Sequence, residues 1–260
     1  MSSLHADPLG PHSDVVSTAR LLLESKGRRT ANRFLVEGPQ NVVAAINSGL
    51  ANFVLSTENN PQVELAQKSR LKVYRINEAA NKSLSDTKTP QGIFAVCDIP
   101  DTDFSNLNVE KFAIVLDRIA DPGNVGTIIR TAAAFGADAV IALAGTADVW
   151  SGKVVRSTAG AFAEIKIFSA ISEEELSSWL QKNNVSTFAL AGEGEELLGD
   201  FSLSEPHLWL VGNEANGLSE NLIKTATKRV RIPMEPNIES LNAAMALGIC
   251  AYASFTTLNK

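Results

Sequence analysis

Apolar and polar positions along this chain switch repeatedly between a helical period and short, continuous apolar runs. VVSTARLLLESKG, residues 15–27, has the spacing of an amphipathic helix that ends at Gly27. RFLVEG then reads as a short strand, GPQNVVAAINSG as a helix closed by Gly49, and NFVLST as a strand. PQVELAQKSR reads as a helix opened by Pro61, LKVYRI as a strand, NEAANKSL as a short helix and GIFAVCDI as a fourth strand. These elements make a small α/β domain over residues 15–99, preceded by a flexible tail at 1–14.

PDTDFSNLNVE, residues 100–110, is polar, acidic and led by proline, and it reads as a linker. The alternation resumes over residues 111–260. Strand candidates there are FAIVLD, DAVIALA, EIKIFSA, TFALAG, HLWLVG and KRVRIP. Most are unbroken apolar runs, as expected of parallel strands covered on both faces. NVGTIIRTAAAFG, GKVVRSTAGAF, SEEELSSWLQKN, LSENLIKTAT and the long ESLNAAMALGICAYASFTT read as the helices between and after them. This order predicts an α/β fold with a mostly parallel sheet.

Composition narrows the picture. At 260 residues with 45 % hydrophobic content, the chain is long enough for one large domain or two modest ones. LNAAMALGICAYASF is too short and too rich in Ala and Gly to span a membrane, so no membrane association is expected. The first residues, MSSLHADPLGPHSD, have neither the basic nor the apolar region of a secretory signal. Cys97 and Cys250 sit among apolar neighbours and read as buried thiols. His5, His12 and His207 share no metal-ligand spacing, so no metal is expected. These features suggest a reducing cytoplasm. The net charge of −6 argues against a general nucleic-acid coat protein. Its distribution matters more: residues 15–92 carry 11 Lys/Arg against 6 Asp/Glu, whereas residues 106–260 carry 12 against 18. A basic front domain joined to an acidic rear domain points to an anionic partner for the front, or to solvated surface lysines and arginines alone.

Three loops have unusual chemistry where ligands of a parallel sheet gather, just beyond the strand ends. DPGNVGTIIR, residues 121–130, lacks the Lys-Ser/Thr of a phosphate loop and the spacing of a dinucleotide fingerprint. Asn124 reads as the helix cap, with Thr127 and Arg130 near its face. An Asn and an Arg aimed at one crevice suit an anion; a capped helix with a surface Arg is the plainer alternative. VGNEANGLSE, residues 211–220, sets Glu214 between Gly212 and Gly217, and the acid also suits a helix start. In IPMEPNIESLNAAMA, residues 232–246, Ser240 reads as the cap of the long helix with Asn242 in its first turn.

Taken together, in order and spacing, the three stretches resemble the SpoU (TrmH-like) family of RNA 2′-O-ribose methyltransferases. DRIADPGNVGTIIRTAAAFG, LVGNEANGLSE and IPM…ESLNAAMALGI carry the resemblance. RFLVEGPQNVVAAI and LSDTKTPQGIFAV resemble the substrate-binding domain that precedes many of its members. The resemblance implies a SPOUT-type sheet closed by a trefoil knot, behind a small RNA-binding domain resembling the L30e ribosomal-protein fold. Periodicity shows no knot. It also implies S-adenosylmethionine bound at Leu190, Ala191, Gly192, Val211, Gly212, Ile232, Met234, Leu241 and Asn242. The catalytic set it implies is Asn124, Arg130, Glu214, Ser240 and Asn242, with Arg28, Arg29, Arg33 and Arg130 binding RNA. The resemblance implies Arg130 as the base, yet a guanidinium is effectively always protonated, so an anchor for phosphate and alkoxide suits it better, and the base role stands only if the substrate phosphate and its pocket alter it strongly. Ala243, Ala244 and Met245 depart from the bulkier or hydroxylated residues common after the SLN of this family. The front domain favours rRNA, 23S included, over tRNA, and a homodimer is expected. A non-catalytic RNA-binding member of the fold is the other class.

Overall fold

In the computed structural model, which describes residues 7–235 and 237–259, helices and strands alternate through the chain. The first six residues of the expected tail, His5 among them, lie outside the described residues. The elements begin with α1 (Asp14–Leu21), α2 (Ser25–Ala31), β1 (Arg33–Glu37), α3 (Pro39–Asn47), β2 (Ala51–Ser56), α4 (Pro61–Lys68), β3 (Lys72–Arg75), α5 (Glu78–Ser83) and β4 (Ile93–Asp98). After a 3-10 turn at Phe104–Asn106 come β5 (Phe112–Asp117), α6 (Pro122–Ala134), β6 (Ala139–Leu143), α7 (Gly152–Thr158) and β7 (Lys166–Ile171). The chain closes with α8 (Glu173–Lys182), β8 (Ser186–Leu190), β9 (Glu196–Leu197), β10 (His207–Gly212), α9 (Glu220–Thr225), β11 (Lys228–Arg231) and α10 (Ala243–Leu258).

Two compact units form. One takes the chain up to Asp101 together with Trp150–Glu164; the other takes Thr102–Val149 and the chain from Ile165. Segment 150–164 therefore packs in the first unit, although sequence order puts it in the second domain. Tertiary packing decides this. Phe34 of β1 meets Trp150 at 4.8 Å and Phe162 edge-on at 5.7 Å. Arg156 of α7 donates to the buried carboxylate of Glu37 at 3.0 Å.

The first unit has a four-stranded mixed sheet in the order β1-β4-β2-β3, with only β2 and β3 parallel. Leu35, Leu55, Phe94 and Val96 meet Val16, Ala19 and Leu22 in its core. The single helix expected over 15–27 is broken after Leu21. Gly27 lies so close to that break that a Cβ there would come within 1.9 Å of the Leu21 carbonyl oxygen. Arg28 Nη1 then takes up carbonyls freed by the break, donating to Leu22 O at 2.8 Å and Leu23 O at 2.9 Å.

The second unit is a seven-stranded sheet in the order β7-β6-β5-β10-β8-β11-β9, and every paired strand is parallel. β5 and β6 are buried along their whole length, as their unbroken apolar runs require. Stretch 100–110 differs from its reading as a polar linker. Phe104, Leu107 and Val109 are buried in this unit's core, and Trp179 Nε1 donates to Leu107 O at 3.2 Å. The three apolar side chains are too sparse to show a period, so polarity dominated the sequence pattern.

Candidate active site

The C-terminal ends of β8, β10 and β11, with the approach to α10, enclose a cavity of about 360 Å³. Leu190, Ala191, Gly192, Val211, Gly212, Ile232, Met234, Leu241 and Asn242 all line it, and so do Glu214 and Ser240. Parallel strands end together here, and their loops supply main-chain groups to one crevice. Gly212 is needed sterically, because a Cβ there would lie 2.3 Å from the backbone of Gly217. Gly217 itself has φ +64° and lets the turn return to β10.

Asn124, Glu214 and Asn242 are joined directly. Asn124 Nδ2 donates to Glu214 Oε1 at 2.6 Å, and Asn242 Nδ2 donates to Asn124 Oδ1 at 3.0 Å. Asn242 Oδ1 accepts from the backbone N–H groups of Ala244 and Met245 at 3.0 and 3.3 Å. Those donors leave only Nδ2 to face Asn124 and so fix the direction of the whole chain. It runs from the start of α10 through the start of α6 to the β10 loop.

The caps differ from the sequence reading. Asp121, not Asn124, caps α6, accepting from the N–H groups of Gly123 and Asn124, and Pro122 takes the first helical position. Asn242, not Ser240, caps α10. In each stretch two cap-competent residues lie two or three positions apart, and composition alone does not choose between them. The choice matters chemically, because it leaves the Asn124 side chain free of capping and able to bridge two loops.

Arg130 is exposed, has no hydrogen-bond or ion-pair partner among the described residues, and is not among the residues that line the cavity. Thr127 and Thr131, rather than Arg130, share a second groove with Asn124 along α6 and α10. Of the front-unit arginines, Arg29 is exposed, while Arg33 pairs with Asp98 at 3.0 Å. Arg28 is only 4 % exposed, its guanidinium turned inward to the Leu22 and Leu23 carbonyls, which withdraws it from any RNA-binding set. Among the described residues, no cluster of three His, Cys, Asp or Glu side chains could hold a metal ion.

Sequence reasoning passed over Asp117, Arg118 and Asn213, which hold the Glu214 loop. The available signal was their position: an acid–arginine pair ends the strand before DPGN, and an Asn precedes Glu214.

Residues 111–252 match the SpoU rRNA Methylase family, and residues 14–95 match the MRM3-like substrate binding domain. The chain is 32 % identical over 235 residues to the Bacillus subtilis 23S rRNA (guanosine(2553)-2'-O)-methyltransferase RlmP, covering 88 % of this chain and 92 % of that one. It is 29 % identical to a Streptomyces viridochromogenes 23S rRNA (uridine(2479)-2'-O)-methyltransferase, covering 89 % and 85 %. The crystal structure of the SpoU methyltransferase AviRb from that organism, in complex with AdoMet, superposes with a TM-score of 0.87 at 26 % identity over 94 % of this chain and 98 % of that one.

Proposed function

Since this chain belongs to the SpoU rRNA methylase family, we propose that it methylates a ribose 2′-hydroxyl of rRNA, with 23S rRNA as the substrate. The observation that carries this reading is the hydrogen-bonded line from Asn242 through Asn124 to Glu214, which ties three separate loops together at the rim of one cavity. The relatives named as 23S rRNA enzymes support rRNA over tRNA. A non-catalytic RNA-binding member would have no need of that line.

The cavity suits S-adenosylmethionine. Its volume is that of a small-molecule site, its walls are largely apolar, and glycine backbone approaches it closely. Both charged side chains in its lining, Glu214 and Glu239, are carboxylates, which complement a sulfonium and an ammonium. The donor supplies an already activated methyl group. The protein's own work is alignment and charge. Asn124 and Ser240 position the ribose. Glu214, held by Asn124, faces the cationic donor. Arg130 grips the adjoining RNA phosphate and stabilises the alkoxide that develops as the hydroxyl gives up its proton to solvent water and its oxygen takes the methyl group from the donor's sulfur. The trefoil knot expected of the family is part of this reading.

A homodimer completes it. Support comes from α10, which is apolar on nearly every side, yet Met245 and Tyr252 are 61 % and 56 % exposed, with Ile249 and Phe255 beside them. A helix apolar all round is normally buried, and a second copy packed on this face would bury it. No helix among the described residues is long and apolar enough to cross a membrane. Burial raises both thiols, Cys250 to about 12, so neither is reactive.

The test is transfer of labelled methyl from S-adenosylmethionine to purified rRNA and tRNA. Incorporation into rRNA alone is the expected result. Incorporation into tRNA alone, or into neither, contradicts the reading.

A further inference from the structure

The turn that carries Glu214 is held by a set of contacts to which methyl transfer, as described, gives no role. Asp117 ends β5 with its carboxylate 1 % exposed. A buried carboxylate is costly unless its oxygens are paired. Arg118 Nε donates to Asp117 Oδ1 at 2.8 Å and Arg118 Nη2 to Oδ2 at 2.9 Å. The backbone N–H of Ser219 donates to the same Oδ2 at 2.7 Å. For a residue to fork onto its immediate neighbour the chain must fold back, and Arg118 has φ +55°, a left-handed conformation that side chains adopt at a cost.

That backbone turn also aims the Arg118 carbonyl at the Glu214 turn. Asn213 Nδ2 donates to Arg118 O at 2.9 Å. With its amide fixed this way round, Asn213 Oδ1 accepts from the N–H groups of Ala215 and Asn216 at 3.0 and 3.1 Å. Asn213 and Gly217 close the turn with paired backbone bonds of 3.1 and 2.9 Å, and Arg118 Nη2 lies 3.4 Å from Gly217 O. Asn213, Glu214 and Gly217 line the cavity. Asp117, Arg118 and Asn124 belong to one short stretch, the end of β5 running into α6, so a single stretch sets both partners of the Asn124–Glu214 bond.

We propose that Asp117 and Arg118 are positioning residues for methyl transfer: their ion pair pre-organises the Asn213–Gly217 turn and with it the donor-facing wall of the cavity. The proposal rests on the reading of that cavity as the S-adenosylmethionine site. Without the pair the turn is free to move, and part of the donor's binding energy goes into ordering it. The loss falls on donor affinity and on turnover, because Glu214 no longer meets Asn124 in one geometry. RNA affinity is untouched, since the fork that would grip a phosphate is already spent on Asp117.

The test is calorimetric titration of S-adenosylmethionine into the full-length wild type, Arg118→Ala and Arg118→Lys. RNA affinity at several salt concentrations, kcat, and thermal unfolding without ligand are measured alongside. Arg118→Ala is expected to bind the donor about tenfold more weakly or worse, with lower kcat and unchanged RNA affinity. Arg118→Lys keeps the charge but not the fork, so it falls between the two; it carries the same test should the alanine variant fail to fold. Wild-type donor affinity and kcat in both folded variants would overturn the proposal. So would weakened RNA binding with a shallower salt dependence and intact donor affinity, which would make Arg118 a phosphate contact. A wild type that does not bind the donor at all would instead overturn the reading of the cavity, and this proposal with it.

Discussion

Asn242 both caps α10 and donates to Asn124, and one substitution separates the two roles. Asp caps a helix as well as Asn does, so Asn242→Asp keeps stability within about 0.5 kcal/mol. It replaces the donor amide by a carboxylate that faces the Asn124 carbonyl and competes with Glu214 for Asn124 Nδ2, which breaks the line to Glu214. A hydrogen bond to a charged group contributes about 1.5–3 kcal/mol, so turnover is expected to fall roughly ten- to a hundredfold. Unchanged kcat with unchanged thermal unfolding would assign Asn242 to capping alone. At this scale the loops that meet at the cavity were legible, because short polar residues and glycines beyond strand ends are informative whatever their exact geometry. The capping assignments were not. Asp121 and Asn124 both qualify as α6 caps, and Ser240 and Asn242 both qualify for α10, and only the backbone chooses. Arg28 misled for a related reason, since a guanidinium that staples a broken helix looks in sequence like one offered to a partner.

Among the elements, β10 and α10 are joined by a buried polar group. His207 Nδ1 lies 2.8 Å from the Glu205 carbonyl oxygen, which can only accept, so Nδ1 carries the proton. In the neutral ring Nε2 accepts from Ser254 Oγ at 2.8 Å, the one hydroxyl proton being shared with the Cys250 carbonyl at 3.1 Å, and Trp209 Nε1 donates to the same Ser254 oxygen at 2.9 Å. Burial lowers the His207 pKa below its ordinary value. A depressed imidazole pKa stabilises the fold above about pH 6.5, the unfolded value, and that stabilisation is lost as pH falls through the folded value. The unfolding temperature of the wild type is therefore expected to drop on acidification below that point. His207→Gln, which cannot titrate, should drop less; equal drops would exclude His207 as the source. The strands of this unit were legible because β5 and β10 are bounded apolar runs of six residues, and their expected and observed limits coincide. The break after Leu21 was not legible, because LLLE continues a helical period while Gly27 and Arg28 stabilise a turn that the period does not record.

Across the whole molecule, the reassignment of Trp150–Glu164 to the first unit shows where sequence order stops predicting domain membership. Its aromatic and ionic partners, Phe34 and Glu37, lie more than a hundred residues upstream, beyond the reach of any local pattern. The basic character of the front unit has a measurable consequence. Arg29, exposed in the last turn of α2, is expected to contact phosphate, so Arg29→Ala should reduce the salt slope of RNA binding by about one. Arg28→Ala should leave the slope alone and lower the unfolding temperature instead. Identical slopes for wild type and Arg29→Ala would make the basic stretch a solvated surface. The exposed face of α10 predicts self-association: Tyr252→Glu with Met245→Lys should convert a dimer to a monomer by sedimentation. A monomeric wild type would exclude the dimer.

Ribose methylation anchored by Arg130 is put to the test by nucleoside mass analysis of rRNA treated with enzyme and S-adenosylmethionine. The wild type should leave a single new 2′-O-methylated nucleoside. Arg130→Ala should leave none while still binding the donor in a calorimeter. A methyl group found on a base, or wild-type modification by Arg130→Ala, would contradict it.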